Sequence, residues 1–128
     1  HRMIVIGAGN MGSAVAQYPS FAREGFEVIA MFDVDPAKVG TRLGNIPIFP
    51  MEDLETYLGD HHVDVAVLSL PVGAAQKTLN RLAECGIRAV WNFAPTDLHH
   101  PEEMIVVNVH LSDSLQILSY KMAHMEDA

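Results

Sequence analysis

Met3-Ile4-Val5-Ile6-Gly7-Ala8-Gly9-Asn10-Met11-Gly12-Ser13-Ala14-Val15 is the stretch that decides the fold. A continuous apolar run, Met3 to Ile6, is ended by Gly7, which suits a strand buried on both faces of a parallel sheet. Gly7, Gly9 and Gly12 then stand at G-x-G-x-x-G spacing, directly before a helical pattern. A lone match is weak, but the strand before it and the helix after it are the context that gives it meaning. Gly7 permits a tight turn, Gly9 leaves room for backbone to approach a pyrophosphate, and Gly12 lets the helix close on the sheet. Gly7, Ala8, Gly9, Asn10, Met11 and Gly12 are therefore candidate phosphate-binding residues, with the helix start and its dipole facing the anion.

Working outward, apolar runs alternate with helical stretches along the whole chain. Helical periodicity runs from Met11 to about Arg23, where Pro19 should end or kink it. Val28 to Phe32 is a second strand. Asp35-Pro36 reads as a cap followed by proline at the first helical position, opening a turn or two before Gly40. Ile46 to Phe49 is a weak third strand whose proline argues for an edge position. Met51 to Leu58 is a short acidic helix, and Val63 to Leu70 is the most hydrophobic strand, expected at the centre. Ala74 to Cys85 is an amphipathic helix closed by Gly86. Ile87 to Trp91 and Met104 to Val109 are further strands, and Ser112 to about Met125 is a last helix. Continuous rather than alternating apolar strands between helices predict an α/β, doubly wound, mostly parallel sheet of Rossmann type, filling one domain over 1–128.

Composition narrows the function classes. The chain has 128 residues, 49% of them hydrophobic and 19% charged, a globular balance rather than a disordered one. Eight Lys plus Arg against sixteen Asp plus Glu gives a net charge of −8. That deficit speaks against this chain alone gripping a nucleic-acid backbone. A single cysteine excludes an internal disulfide and a CxxC metal knuckle, and fits a reducing cytoplasm. No apolar run approaches the ~18 residues of a membrane span. The chain opens with His1-Arg2 and is in strand by Met3, the start expected of a domain cut from something longer or following a tag.

Asp33 ends the second strand, 21 residues after Gly12, where a carboxylate accepts hydrogen bonds from the adenosine ribose hydroxyls. Val34 and Asp35 follow it, not Arg or Lys, so a 2′-phosphate would meet two carboxylates. NAD(H) is expected over NADP(H). Leu70 and Pro71 end the fourth strand beside the expected crevice, either sheltering the cofactor or merely leaving the strand. The seven histidines show no HxxxH spacing or cysteine cluster, so no metal site is expected. Cys85 reads as a small helix-end core residue, and Trp91 as core before crevice. No nucleophile elbow is present, and no catalytic residue is assigned.

Further residues carry a family resemblance. Gly7 to Gly12, Gln17-Tyr18-Pro19-Ser20-Phe21, and Phe32-Asp33-Val34-Asp35-Pro36-Ala37-Lys38-Val39-Gly40 together resemble the Rex family of redox-sensing transcriptional repressors. Ala74-Ala75-Gln76, Gly86-Ile87-Arg88, Trp91-Asn92-Phe93-Ala94-Pro95 and Val107-Asn108-Val109 continue the match in order. The resemblance implies that family's C-terminal NAD(H)-binding domain, which forms a homodimer and exchanges its last helix between subunits. It implies that operator DNA is met only through an N-terminal winged-helix domain absent from this chain. It places the dinucleotide on Gly7 to Gly12 and Asp33, with Val34 adjacent, and sets Tyr18 and Asn92-Phe93 toward the nicotinamide. One departure matters. Where the family usually has Asn-Val-Asp before its last helix, this chain has Asn108-Val109-His110. In the resemblance that acid contacts, across the dimer, the tyrosine matched by Tyr18, so Tyr18 and His110 are the switch candidates and His110 alters charge and pH response.

Three functional classes follow. The first is a sensor of the NADH/NAD⁺ ratio, the non-enzymatic regulatory half of a repressor that releases DNA when NADH is bound. The second is the cofactor domain of an NAD-dependent dehydrogenase. The third is a nucleotide- or coenzyme A-binding domain of acyl-CoA ligase type. Asn92-Phe93-Ala94-Pro95 and the Gln17 to Phe21 run favour the first. Leu111, Leu115, Leu118 and Met122 form an apolar stripe on the last helix that needs a partner surface, which favours a homodimer.

Overall fold

Residues 1–109, with Leu118, Met122 and Ala123, are described by a computed structural model. The opening apolar run becomes β1 (Arg2–Ile6), and the glycines deliver the chain into α1 (Asn10–Ala16). Pro19 ends that helical stretch, and a separate turn of helix, α2 (Ser20–Arg23), follows it. The remaining elements are β2 (Glu27–Asp33), β3 (Arg42–Leu43), β4 (Ile46–Pro50), α3 (Leu54–Asp60), β5 (Val65–Leu68), α4 (Val72–Glu84), β6 (Ala89–Asn92) and β7 (Ile105–Asn108). Of the helix expected from Ser112 to Met125, the described residues include only Leu118, Met122 and Ala123, each helical, and the rest falls outside them.

Among the described residues the strands form one sheet in the order β3-β4-β2-β1-β5-β6-β7. Every pairing is parallel except that of β3 with β4. With the two-residue β3 set aside, this is the Rossmann order, and it reverses direction between β1 and β5. The expected doubly wound α/β sheet is thus observed, with β5 interior as its hydrophobicity predicted.

Alternate residues of each strand feed two cores. Ile4, Ile6, Phe32, Ala66 and Leu68 pack with Leu54 of α3 and Leu79 and Leu82 of α4 on one face. Met3, Val5, Met31 and Val67 pack with Val15 and Ala16 of α1 and Phe21 of α2 on the other. The crossover from β6 to β7 carries no helix. The described residues therefore leave the second face bare above β6 and β7, as a groove of about 570 Å³ lined by Met3, Tyr18, Phe21, Val65, Trp91 and Val107.

Two local expectations need correction. Asp35-Pro36 does not open a helix. Asp35 accepts one turn's hydrogen bonds from Ala37, Lys38 and Val39, and then Gly40, at φ +84°, turns the chain so that its amide joins Ile48. Nor is the Ile46 strand the edge. It lies between β2 and β3, and Pro47 is tolerated because it stands opposite Arg42, before the parallel pairing begins at Ile48.

Candidate functional site

The carboxyl ends of β1, β2, β5 and β6 meet along one edge of the sheet, and the glycine-loop, Asp33, Leu70, Pro71 and Phe93 candidates gather there. Gly7 takes φ +104°, which a side chain rarely tolerates. A Cβ on Gly7 would also lie 2.6 Å from the Ser69 carbonyl oxygen, and one on Gly12 would strike the Gly7 carbonyl oxygen. Around Gly9 nothing lies within 4 Å of a built Cβ. Two glycines are therefore required by the protein's own packing, while the third keeps a space open. That division is what a phosphate cradle needs, with the first-turn amides of α1 not consumed by the helix.

Asp33 closes the cradle. Its Oδ2 accepts the Ala8 amide at 2.6 Å, and its Oδ1 accepts the Asp35 amide at 2.9 Å. Burial works against ionisation, but the amides of Asp35, Ala8 and Val34 and the Lys38 charge outweigh it. The carboxyl is held below its usual range, so Asp33 is a fixed anion beside the glycine loop. Val34 next to it is 79% exposed, an apolar ledge at the crevice mouth.

Ser69, at the end of β5, was not singled out as a site residue. Its Oγ donates to the Gly7 carbonyl at 2.9 Å and its amide to Ile6, tying β5 to the loop across the point where the strand order reverses. A serine immediately after the central strand was the available signal. Leu70 is half-buried against the α3/α4 core, and Pro71 is exposed as the residue before α4. Lys38 was also missed: its Nζ donates to the Ala8 carbonyl at 2.6 Å. Asp35 caps its own turn as its place before Pro36 suggested, its Oδ1 accepting the Ala37 amide at 2.9 Å, so Asp33 is the carboxylate left at the loop.

The nicotinamide-side candidates divide. Phe93 follows β6 at the crevice and its amide donates to the Leu68 carbonyl. Asn92 is fully buried. Its Nδ2 donates to the Thr96 carbonyl and to Asn108 Oδ1, and its Oδ1 accepts the Ala94 amide. Its polar atoms shape the crevice wall from inside. Tyr18, 56% exposed, lies past the far end of α1, about 10 Å along the helix from the loop. It lines the bare groove rather than the crevice. An aromatic run joins the two places: Tyr18 to Phe21 at 5.2 Å, Phe21 to Trp91 at 5.6 Å, and Trp91 to Phe93 at 4.9 Å between ring centres. His110, the other switch candidate, lies outside the described residues.

Among the described residues no three His, Cys, Asp or Glu side chains group as a metal site, and no helix is long and apolar enough to cross a membrane. Burial pushes the Cys85 thiol up, away from the reactive thiolate.

The glycine cradle, the open space at Gly9 and the Asp33 anion fit a dinucleotide. Residues 1–96 match the family model of the CoA binding domain. The chain belongs to that family. Within it, the domain is a homologue of the Rex repressors over nearly its whole length. It is 40% identical over 126 residues to the redox-sensing transcriptional repressor Rex of Caldanaerobacter subterraneus subsp. tengcongensis, covering 98% of this chain and 56% of that protein. Among solved structures it is similar to the repressor RSP in complex with β-NADH, at TM-score 0.88 and 40% identity, covering 98% of this chain and 61% of that one. It is similarly close to RSP bound to β-NAD⁺ and operator DNA, at TM-score 0.87 and 40% identity, covering 98% of this chain and 58% of that one. This CoA-binding-type domain thus spans somewhat over half the length of its curated relatives.

Proposed function

We propose that this chain is the NAD(H)-sensing half of a redox-responsive transcriptional repressor, working in the cytoplasm without enzymatic activity of its own. The observation that carries the reading is a dinucleotide cradle whose aromatic wall runs from Phe93 through Trp91 and Phe21 to the bare apolar groove. Gly7 to Gly12 hold the pyrophosphate, Asp33 the adenosine ribose with Val34 beside it, and Leu70, Pro71 and Phe93 flank the nicotinamide side. Asn92 supports Phe93 from within. A second copy of the chain covers the groove, with the helix from Ser112 to Met125 exchanged, and Tyr18 meets the partner there. The relatives named above carry the NADH, NAD⁺ and operator DNA that motivate the reading.

NADH and NAD⁺ differ at the nicotinamide ring in charge and planarity, so only groups near that ring distinguish them. A switch needs unequal affinity for two conformations. NADH favours a closed dimer that releases DNA, and NAD⁺ leaves the DNA-competent form populated. In this reading operator contact belongs to a domain outside 1–128, and the −8 net charge of this chain supports it. His110, in place of the usual acid, makes the preference change between pH 6 and 8, around histidine's ordinary pKa of ~6.5.

Operator binding by the full-length parent at several NADH:NAD⁺ ratios and pH values tests the reading. Affinity that falls as NADH rises supports it, and affinity that ignores the ratio overturns it. Titration of this chain with NADH and with coenzyme A separates it from the acyl-CoA ligase alternative.

A further inference from the structure

Lys38 lies five residues beyond Asp33 in sequence, yet the turn from Asp35 to Gly40 brings it back to the glycine loop. Its amide donates to the Asp35 carbonyl at 3.0 Å, and its own carbonyl accepts the Thr41 amide at 3.1 Å. The backbone is thereby pinned, and the half-buried side chain lays its ammonium 2.6 Å from the Ala8 carbonyl oxygen. The amide of the same residue, Ala8, is held by Asp33 at 2.6 Å. One cation and one anion thus grip the two polar groups of a single loop residue, where the adenosine ribose of a dinucleotide would lie.

We propose that Lys38 is a specificity-determining residue of this site, a cation that opposes Asp33 in the choice between a free ribose and a 2′-phosphorylated one. The inference rests on the NAD(H) reading and deepens it. A 2′-phosphate placed at Asp33 meets repulsion from the carboxylate and attraction from the ammonium, and with Asp33 ionised the repulsion wins. Asp35 adds less than its sequence position suggests, because its carboxylate is turned into its own turn. Neutralising Asp33 therefore leaves a site already furnished with a phosphate-binding cation. A free ribose, carrying no charge, responds much less to Lys38.

The readout is the ratio of NADPH to NADH dissociation constants, by dinucleotide fluorescence titration. A purely structural lysine would weaken both ligands together and leave the ratio unmoved. Lys38→Met is expected to raise the ratio about fivefold, and Lys38→Arg to restore it, as follows for one screened charge near the phosphate. Asp33→Asn keeps an acceptor for the Ala8 amide and is expected to lower the ratio about tenfold. Asp33→Asn with Lys38→Met should lose most of that gain, together with the salt dependence of NADPH binding. An unchanged ratio in Lys38→Met, or equal gains in the single and double variants, overturns the inference while leaving NAD(H) binding intact. Failure of the unmodified chain to bind NADH overturns the NAD(H) reading and this inference with it.

Discussion

Asn92 Nδ2 donates a 2.9 Å hydrogen bond to Asn108 Oδ1, joining the last residue of β6 to the last residue of β7. The backbone repeats the link, with the Val109 amide donating to the Asn92 carbonyl at 2.9 Å. The start of the crevice wall at Phe93 and the end of β7 are therefore fixed to one buried side chain.

Replacing Asn92 should show this as lost stability before lost binding. Asn92→Ala leaves the Ala94 amide without its side-chain acceptor and should cost about 2–3 kcal/mol, measured by urea unfolding. Asn92→Asp turns a carboxylate toward two acceptors, the Thr96 carbonyl and Asn108 Oδ1. Burial raises such a carboxyl in the folded state, so its stability should be best in acid and fall as pH rises.

Gly9 and Gly12 should behave oppositely. Nothing surrounds a Cβ at Gly9, so Gly9→Val should fold with near-normal stability and lose NADH binding by more than about a hundredfold. A Cβ at Gly12 meets the Gly7 carbonyl, so Gly12→Ala should lose about 3 kcal/mol of stability. Circular dichroism melts beside NADH titrations separate the two outcomes.

Asp33 gives a pH signature with a definite sign. Its carboxyl lies below the ordinary range when folded, so its contribution is present above the unfolded-chain value of ~3.9 and fades as pH falls through the lowered folded value. The stability gap between the unmodified chain and Asp33→Asn should be flat from about pH 5 to 8 and close below about pH 4. Its size should be about 1 kcal/mol, since solvent screens a partly exposed group.

The bare groove predicts where self-association can be broken. Val107 is 54% exposed on β7 and lines that groove. Val107→Asp should leave a folded chain that sediments as a monomer at tens of micromolar, about the concentration at which the unmodified chain is expected to sediment as the proposed dimer. A dimer that survives this change does not use the groove.

The Rossmann order was legible because Met3 to Ile6, Val65 to Leu68 and the glycines between strand and helix carry strong, local signals. β3 was not, since two residues show no periodicity and its pairing depends on the turn at Gly44. The expected helix after Pro36 failed because Gly40 takes a left-handed turn that pairs with Ile48, a contact eight residues away. Asp33 stood out through its spacing from Gly12, whereas Lys38 reaches the loop only by a tertiary turn. Asn92 shows the complementary difficulty. An asparagine at a strand end reads alike whether its amide faces a ligand or, as here, three partners inside the protein.

If a second copy covers the helix-free face above β6 and β7, as proposed, concentration itself becomes a variable of this protein's stability. Ile105 and Val107 are 66% and 54% exposed on a face that a helix would ordinarily cover. In a dimer that covers them, unfolding is coupled to dissociation, and dilution acts as a mild denaturant. A dinucleotide that favours the covered form then raises the melting point twice, by its own occupancy and by holding the subunits together. The abundance of the protein in the cell and its cofactor supply would act on the same equilibrium.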